Sequence, residues 1–328
     1  MTFSETMRAV YSGAMRAVTI VDGDLKWQHH PDPEPGPGEL LVAVRAAGLN
    51  GADMMQRLGF YPAPPGYPQD IPGMEFAGEV IGTGSEVRRF GIGDRVMALV
   101  GGGAQAELMV VDEGSAIDVP ENITWEEAGG FPEVFITAYD ALITQVGLTA
   151  GERVLVTGAA GGVGTAGVQL AHATGAHVVA SARREEAHDQ ILALGADEVI
   201  VPDETPDYGP YDVVLELVGG PSVPTVLGAL AIGGRIAVIG IGAGRTAEVD
   251  LSALMYKRAR ISGSTLRGRS LEDKAEIAQT MEQHVLPLLA EEKIRVPLSA
   301  IYPMRDAITG YDRFAEGGKI GKIVLFPN

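Results

Sequence analysis

The sequence predicts an α/β chain of two domains, one irregular and strand-rich, the other a doubly wound parallel sheet. Two observations predict it. From Met15 to about residue 125, short apolar runs such as "ELLVAVRAAGL" and "EFAGEVIGTG" are broken by glycine and proline, the pattern of short strands joined by turns. After "PENITWEEAGGFPEVFITAYDAL", apolar strands alternate with stretches of helical length, which implies parallel strands covered on both faces. The chain has 328 residues, nearly half of them apolar, which is more than one hydrophobic core usually holds.

In chain order, "PDPEPGPGE" carries too much proline for a helix or central strand and reads as a surface turn leading into Leu40 to Val44. In the second region "RVLVTG", "HVVASA", "DEVIV", "YDVVLELVG", "GRIAVIG" and "ARISGSTL" are the candidate strands. From Leu271 to Glu292 the apolar period is helical, and "PMRDAITGYDRFAEGG" predicts a further helix ending at glycine. The closing "KIGKIVLF" reads as an amphipathic strand by which the C-terminus returns to the first domain.

Composition removes several classes of function. Without cysteine there are no disulfides, no thiolate catalysis and no cysteine-ligated metal. His29, His30, His172, His177, His188 and His284 do not fall at the spacing of a compact ligand motif, so no metal site is expected. A formal charge of −18 argues against nucleic acid and anionic membranes, both of which require a basic footprint. No apolar run has the length of a membrane span, and the opening "MTFSETMRAVYSGAMRAV" lacks a signal-peptide core. A cytoplasmic protein with a small-molecule ligand is the expectation.

The stretch "VLVTGAAGGVG" nearly spells G-x-G-x-x-G, with Ala159 in place of the first glycine. A strand ends at Thr157, Gly164 opens a helix to about Ala173, and a second strand begins at His177. This is the setting in which glycines let the backbone approach a pyrophosphate and the helix N-terminus binds it. Ala160, Gly161, Gly162, Val163 and Gly164 are the candidate cradle, the alternative being a merely structural tight turn. The next strand ends "ASARREE", with no acid at Ser181 or Ala182 to take a ribose 2′-hydroxyl. Arg183 and Arg184 suit a 2′-phosphate, which favours NADPH, with NADH the weaker alternative; otherwise the pair is the solvated start of a helix.

At this point the chain resembles the zinc-independent quinone oxidoreductases of the medium-chain dehydrogenase/reductase superfamily, from about Met15 to its end. The resemblance rests on "GLNGADMMQRLGFYPAPPG", "PGMEFAGEV", "GIGDRV", "GGGAQAEL", "PEVFITAYDAL", "AAGGVG", "STLRGRSLEDK" and "GKIVL". Several of these are similar to the branch containing the p53-inducible quinone oxidoreductase. The resemblance implies a GroES-like catalytic domain from residues 1–126 and 269–328 and a Rossmann domain from 127–268. It also implies no zinc, since zinc-dependent relatives place a cysteine ligand where Asn50 stands and a histidine ligand where Met74 stands.

From the same resemblance, Tyr61 and Asn50 are the candidate catalytic residues lining the cleft, and Asp53 organises their loop. Thr137, Gly240 and Ile241 correspond to positions beside the nicotinamide, and Lys322 to a residue closing over the cofactor. Met55, Ala187 and Pro202 depart from the pattern, the last two thinning the usual 2′-phosphate clamp to Ser181, Arg183 and Arg184. The implied reaction is hydride transfer from NADPH to a quinone or related electrophilic carbonyl. The alternatives are reduction of activated C=C bonds in enones or enoyl thioesters, and a cofactor-binding sensor with negligible turnover. An acyl-thioester substrate needs a basic mouth, for which the acidic chain offers few candidates beyond Arg57, Arg267 and Arg269. A homodimer is expected through the edge strand around "ARISGSTL".

Overall fold

The structure, a computed structural model, describes residues 13–327. Most of the opening segment read above for a targeting signal lies outside the described residues. The chain forms two compact units. The first runs to Glu133 and takes in Arg267–Gly317 and the chain from Lys322; the second is Val134–Leu266 with Gly318–Gly321. The sequence reading drew its boundaries at 126/127 and 268/269. The turn of helix after residue 124 packs on the first unit so closely that a Cβ on Gly129 would lie 2.6 Å from Ala46 Cβ.

The first unit opens with a hairpin, β1 (Ala14–Val21) and β2 (Asp24–Pro31), that the sequence reading did not identify. Its signal is the dipeptide Asp22-Gly23, both residues at positive φ, the pairing a two-residue hairpin turn favours. There follow β3 (Glu39–Gly48), α1 (Gly51–Arg57), β4 (Glu75–Thr83), β5 (Arg95–Leu99), β6 (Leu108–Asp112), β7 (Ala116–Asp118) and the helix α2 (Trp125–Gly129); the next helix, α3 (Pro132–Tyr139), lies mostly in the second unit. β3 is the hub, hydrogen-bonded to β4 and to β6. Its side chains are buried on both faces, so Leu40, Val42 and Val44 pack with Phe76 and Val96 while Leu41 and Ala43 pack with Met15 and Ile81.

The second unit carries β8 (Arg153–Val156), α4 (Gly162–Ala173), β9 (His177–Ser181), α5 (His188–Leu192), β10 (Glu198–Ile200), β11 (Tyr211–Glu216), α6 (Val223–Gly228), β12 (Leu230–Val238), α7 (Leu251–Lys257) and β13 (Arg260–Gly263). All six strands are parallel, in the order β10-β9-β8-β11-β12-β13. Side chains alternate between two cores: Val154 and Val156 meet α4 residues on one face, while Leu155 joins Val226 and Leu227 of α6 on the other. The order reverses between β8 and β11, and the C-terminal strand ends there are where an open α/β sheet binds ligands.

The chain then returns through α8 (Leu271–His284), α9 (Leu286–Ala290), β14 (Leu298–Pro303), α10 (Ala307–Glu316) and β15 (Lys322–Phe326). The single helix expected over 271–292 is broken at Val285, because Pro287 in the first turn of α9 has no N–H to continue the ladder. The last strand does return to the first unit, pairing with β14 and β3. It is not amphipathic: Lys322 through Leu325 are all buried, so the expected solvent face is absent. Among the described residues no helix is long and apolar enough to cross a membrane.

Candidate functional site

In the second unit the glycine-rich turn follows β8 as expected, and the structure explains why Ala159 is tolerated. The left-handed residue is Gly158, at φ +60, not residue 159. Ala159 is fully buried and donates its N–H to Ser181 O at 3.0 Å, while Gly161 N–H closes the turn on Gly158 O at 3.0 Å. Helix α4 starts at Gly162, two residues earlier than the sequence reading placed it, and no side chain caps it. No side chain takes its first-turn N–H groups, and a helix start without a side-chain cap is the arrangement that binds phosphate oxygens. Gly164 is required by contact, since a Cβ there would meet Gly158 O at 2.5 Å and Ala159 Cα at 2.7 Å.

Ser181, at the end of β9, is buried, and Arg183 and Arg184 beyond it are exposed. The Arg184 guanidinium lies against Gly318, where a Cβ would sit 2.3 Å from its Cζ. Segment 318–321 also touches the glycine turn, with Gly321 N–H donating to Ala160 O at 2.9 Å and a parallel bridge from Gly161 to Gly321. The sequence reading missed this neighbour. Its signal was the pair Gly317-Gly318, both at positive φ.

A second missed residue is Glu216, fully buried at the end of β11. Its carboxylate accepts from Val218 N–H at 2.7 Å, Gly219 N–H at 2.9 Å and the Ser222 hydroxyl at 2.7 Å, which fixes the loop after β11. Gly240 packs on that loop so tightly that a Cβ would lie 2.0 Å from Leu217 O. Ile241 beside it is exposed, and Thr137 is buried on α3. An acid ending an apolar strand, just before two glycines, was the available signal for Glu216.

In the first unit Asn50 and Tyr61 belong to two different groups of contacts. Asn50 is buried, with Nδ2 donating to Glu75 Oε1 at 2.9 Å and reaching Gly48 O at 3.4 Å, and with Oδ1 accepting from Lys322 Nζ at 2.6 Å. Its side-chain donors are used within this network, so toward a substrate it offers shape rather than a free N–H. Lys322 Nζ also donates to Leu49 O at 2.9 Å and pairs with Glu75 Oε1 at 2.6 Å. Lys322 is thus a buried cation, 2% exposed. Lys322 lies in the first unit, apart in the chain's division from the glycine turn with which the sequence reading grouped it.

Asp53 organises the same loop. Its carboxylate accepts from Asn50 N–H at 2.8 Å and Gly73 N–H at 3.0 Å, joining the start of α1 to the segment before β4. Burial pushes its carboxyl up to about 6, outweighing the two backbone hydrogen bonds and the attraction of Lys322 and Arg267. The unfolded chain holds this proton more weakly, so folding takes it up between about pH 4 and pH 6. The associated stabilisation is full below the unfolded value and is lost as pH rises through 6. A shift of this size corresponds to about 3 kcal/mol at most. Unfolding free energies of the wild type and Asp53→Asn across pH 4.5–7.5 test this, and an unchanged slope in the variant discards it.

Tyr61 is partly buried, and among the described residues no side chain takes its hydroxyl. Its carbonyl accepts from Arg267 Nη1 at 2.8 Å. Arg267 was a candidate for a basic surface mouth; it is instead among the largest fully buried side chains. Arg57 is partly buried and donates from Nε to Gly23 O at 2.9 Å. A basic mouth therefore loses Arg267 as a candidate.

The fold and these sites define an oxidoreductase assembled from a GroES-like unit and a Rossmann unit. Residues 36–121 match the alcohol dehydrogenase GroES-like domain family, and 162–289 the zinc-binding dehydrogenase family. The quinone oxidoreductase of Pseudomonas aeruginosa is 32% identical over 92% of this chain and 95% of its own length. A thermostable alcohol dehydrogenase from Pyrobaculum aerophilum superposes with a TM-score of 0.83 at 29% identity, covering 96% of this chain and 100% of that one. The chain belongs to the medium-chain dehydrogenase/reductase superfamily, with quinone oxidoreductases among its relatives. It is also 33% identical, over 88% of its length, to the polyketide synthase GfsB of Streptomyces halstedii, of which it spans 5%.

A nicotinamide cofactor fits the residues present, because the turn at Gly158–Gly164 leaves out the side chains that would fill its cradle. Zinc does not fit. At Asn50 and Met74 the donors are a carboxamide already engaged by Lys322 and Glu75 and a buried thioether. The ammonium of Lys322 is already the counter-charge to Glu75. Among the described residues no group of three His, Asp or Glu side chains is placed to hold a metal ion.

Proposed function

We propose that this protein is a metal-free, NADPH-dependent quinone oxidoreductase acting on a planar quinone or related electrophilic carbonyl. The observation that carries the reading is the uncapped start of α4 behind the Gly158–Gly164 turn, with Arg183 and Arg184 exposed at the end of the neighbouring strand. When bound, NADPH supplies the hydride. The open N–H groups of Gly162, Val163 and Gly164 bind the diphosphate, with Ala160 and Gly161 forming the turn before them. Arg183 and Arg184, with Ser181, bind the 2′-phosphate through charge-assisted hydrogen bonds. Thr137, Gly240 and Ile241 flank the nicotinamide, and Lys322 stiffens the loop that carries Asn50.

Tyr61 donates its phenol hydrogen bond to the substrate oxygen on which charge develops. Asn50 shapes the substrate side of the site. The relationship to the Pseudomonas enzyme supports the quinone as substrate. A homodimer through the edge strand β13 is supported by exposed apolar side chains, Ile261 on that strand and Leu251, Met255 and Tyr256 on the preceding helix α7.

The test follows the absorbance of NADPH, and separately NADH, with ortho- and para-quinones, an unsaturated aldehyde and an enoyl thioester. Rapid NADPH oxidation by quinones is expected. The double variant Arg183→Ala/Arg184→Ala raises the KM for NADPH by about 10- to 100-fold and leaves that for NADH unchanged. Turnover confined to the aldehyde or thioester reassigns the chemistry to C=C reduction. Cofactor binding without turnover on any acceptor sinks the catalytic reading.

A further inference from the structure

The stretch between α1 and β4 that carries Tyr61 has no helix or strand of its own, yet two buried cations hold it. Arg267 is 2% exposed. Its Nε donates to Gly101 O at 2.7 Å, Nη1 to Tyr61 O at 2.8 Å, and Nη2 to Gln56 Oε1. The guanidinium carbon lies over the Tyr61 ring, 5.0 Å from its centroid. Gln56 passes the link on, donating from Nε2 to Gln69 O at 3.2 Å, so one cation ties together α1, both arms of the loop and the Gly101 segment.

Lys274 grips the same loop at Tyr67. It is 4% exposed, with Nζ 3.3 Å from the Tyr67 hydroxyl and 5.0 Å from that ring's centroid. Tyr67 in turn packs on Gly101, where a Cβ would lie 2.5 Å from the ring. Neither cation has a carboxylate among its hydrogen-bond partners in the described residues; Asp53 acts on Arg267 through its field alone. Lys274 is held below the usual lysine value by burial and then by Arg267. Two like charges buried side by side without paired counter-ions are unfavourable compared with apolar residues of similar volume. A guanidinium nevertheless does what an apolar group cannot: its fork satisfies carbonyls in three directions while its plane lies on an aromatic ring.

We propose that Arg267 is the positioning residue of Tyr61, with Lys274 anchoring the far arm of the loop through Tyr67. The two cations present the phenol in one orientation without touching substrate. The proposal rests on the reading of Tyr61 as the donor to the substrate oxygen, and its test separates the two.

The full chain is labelled with 3-fluorotyrosine, and the Tyr61 resonance is assigned by its loss in Tyr61→Phe. In Arg267→Met the Tyr61 resonance moves toward its position in denaturant, and kcat with a quinone falls about 10-fold at unchanged KM for NADPH. Arg267→Lys, which keeps the charge but loses the fork, restores neither fully. Lys274→Met moves the Tyr67 resonance and, to a smaller extent, that of Tyr61. A Tyr61 resonance unmoved in folded Arg267→Met overturns the proposal; should that variant not fold, an unmoved resonance in Arg267→Lys does so. A moved resonance with unchanged kcat, in a protein that Tyr61→Phe slows, overturns it too. A moved resonance with kcat unaffected by either Arg267→Met or Tyr61→Phe upholds the clamp and discards the donor role of Tyr61.

Discussion

Lys322→Met destabilises the first unit by about 3–5 kcal/mol, the usual consequence of stranding one member of a buried ion pair. The ammonium and its partner Glu75 are 3% and 0% exposed, 2.6 Å apart. Without the cation, the Glu75 carboxylate keeps its hydrogen bonds from Asn50 Nδ2 at 2.9 Å and Glu133 N–H at 2.8 Å but has no paired positive charge. Water has little access, because Gly48 lies so close that a Cβ there would be 2.2 Å from Glu75 Oε1. Denaturant unfolding of the full chain, followed through the transition of the first unit, gives the measurement. The double variant Lys322→Met/Glu75→Leu recovers most of the loss, since an apolar pair of similar volume leaves no bare charge. A single-variant loss below about 1 kcal/mol, or a double variant no better than the single, discards this account.

Gly164→Ala produces the second large effect, with a sign opposite to helix propensity. In an exposed helix interior this exchange stabilises by about 1 kcal/mol. At residue 164 the added methyl meets the backbone of the preceding turn, 2.5 Å from Gly158 O and 2.7 Å from Ala159 Cα, where no flexible side chain can give way. The start of α4 must move, and its open N–H groups move with it. A loss of about 1–3 kcal/mol in stability and at least ~10-fold in NADPH affinity is expected. Gly228→Ala is the control, because a Cβ at the end of α6 meets nothing within 4 Å. Calorimetric titration of both variants with NADPH decides the matter. Equal affinities would show that the cradle does not depend on this contact.

Much of the fold was legible in the sequence because its signals are local. Most of the six parallel strands are apolar runs bounded by turn residues, and "GAAGGVG" announces its turn through glycines that the backbone geometry requires. The hairpin at Asp22-Gly23 was as legible and was missed. The helical period over 271–292 does not reveal the break at Val285, which a single proline, Pro287, imposes. The burial of Lys322 is not legible in the sequence, because alternation along a strand does not reveal that both faces are covered.

The sequence by itself determined the strand-rich and parallel-sheet units, the glycine turn with its arginine pair, and the absence of thiol chemistry. These follow from periodicity, from backbone freedom at glycine and from residue type. Only the tertiary structure decided which distant charges meet. Asn50 reaches Glu75 across 25 residues and Lys322 across 272, and Arg267 reaches Gln56 across 211. No local pattern encodes such partners, because pairing a buried charge depends on which strands and loops the whole chain brings side by side.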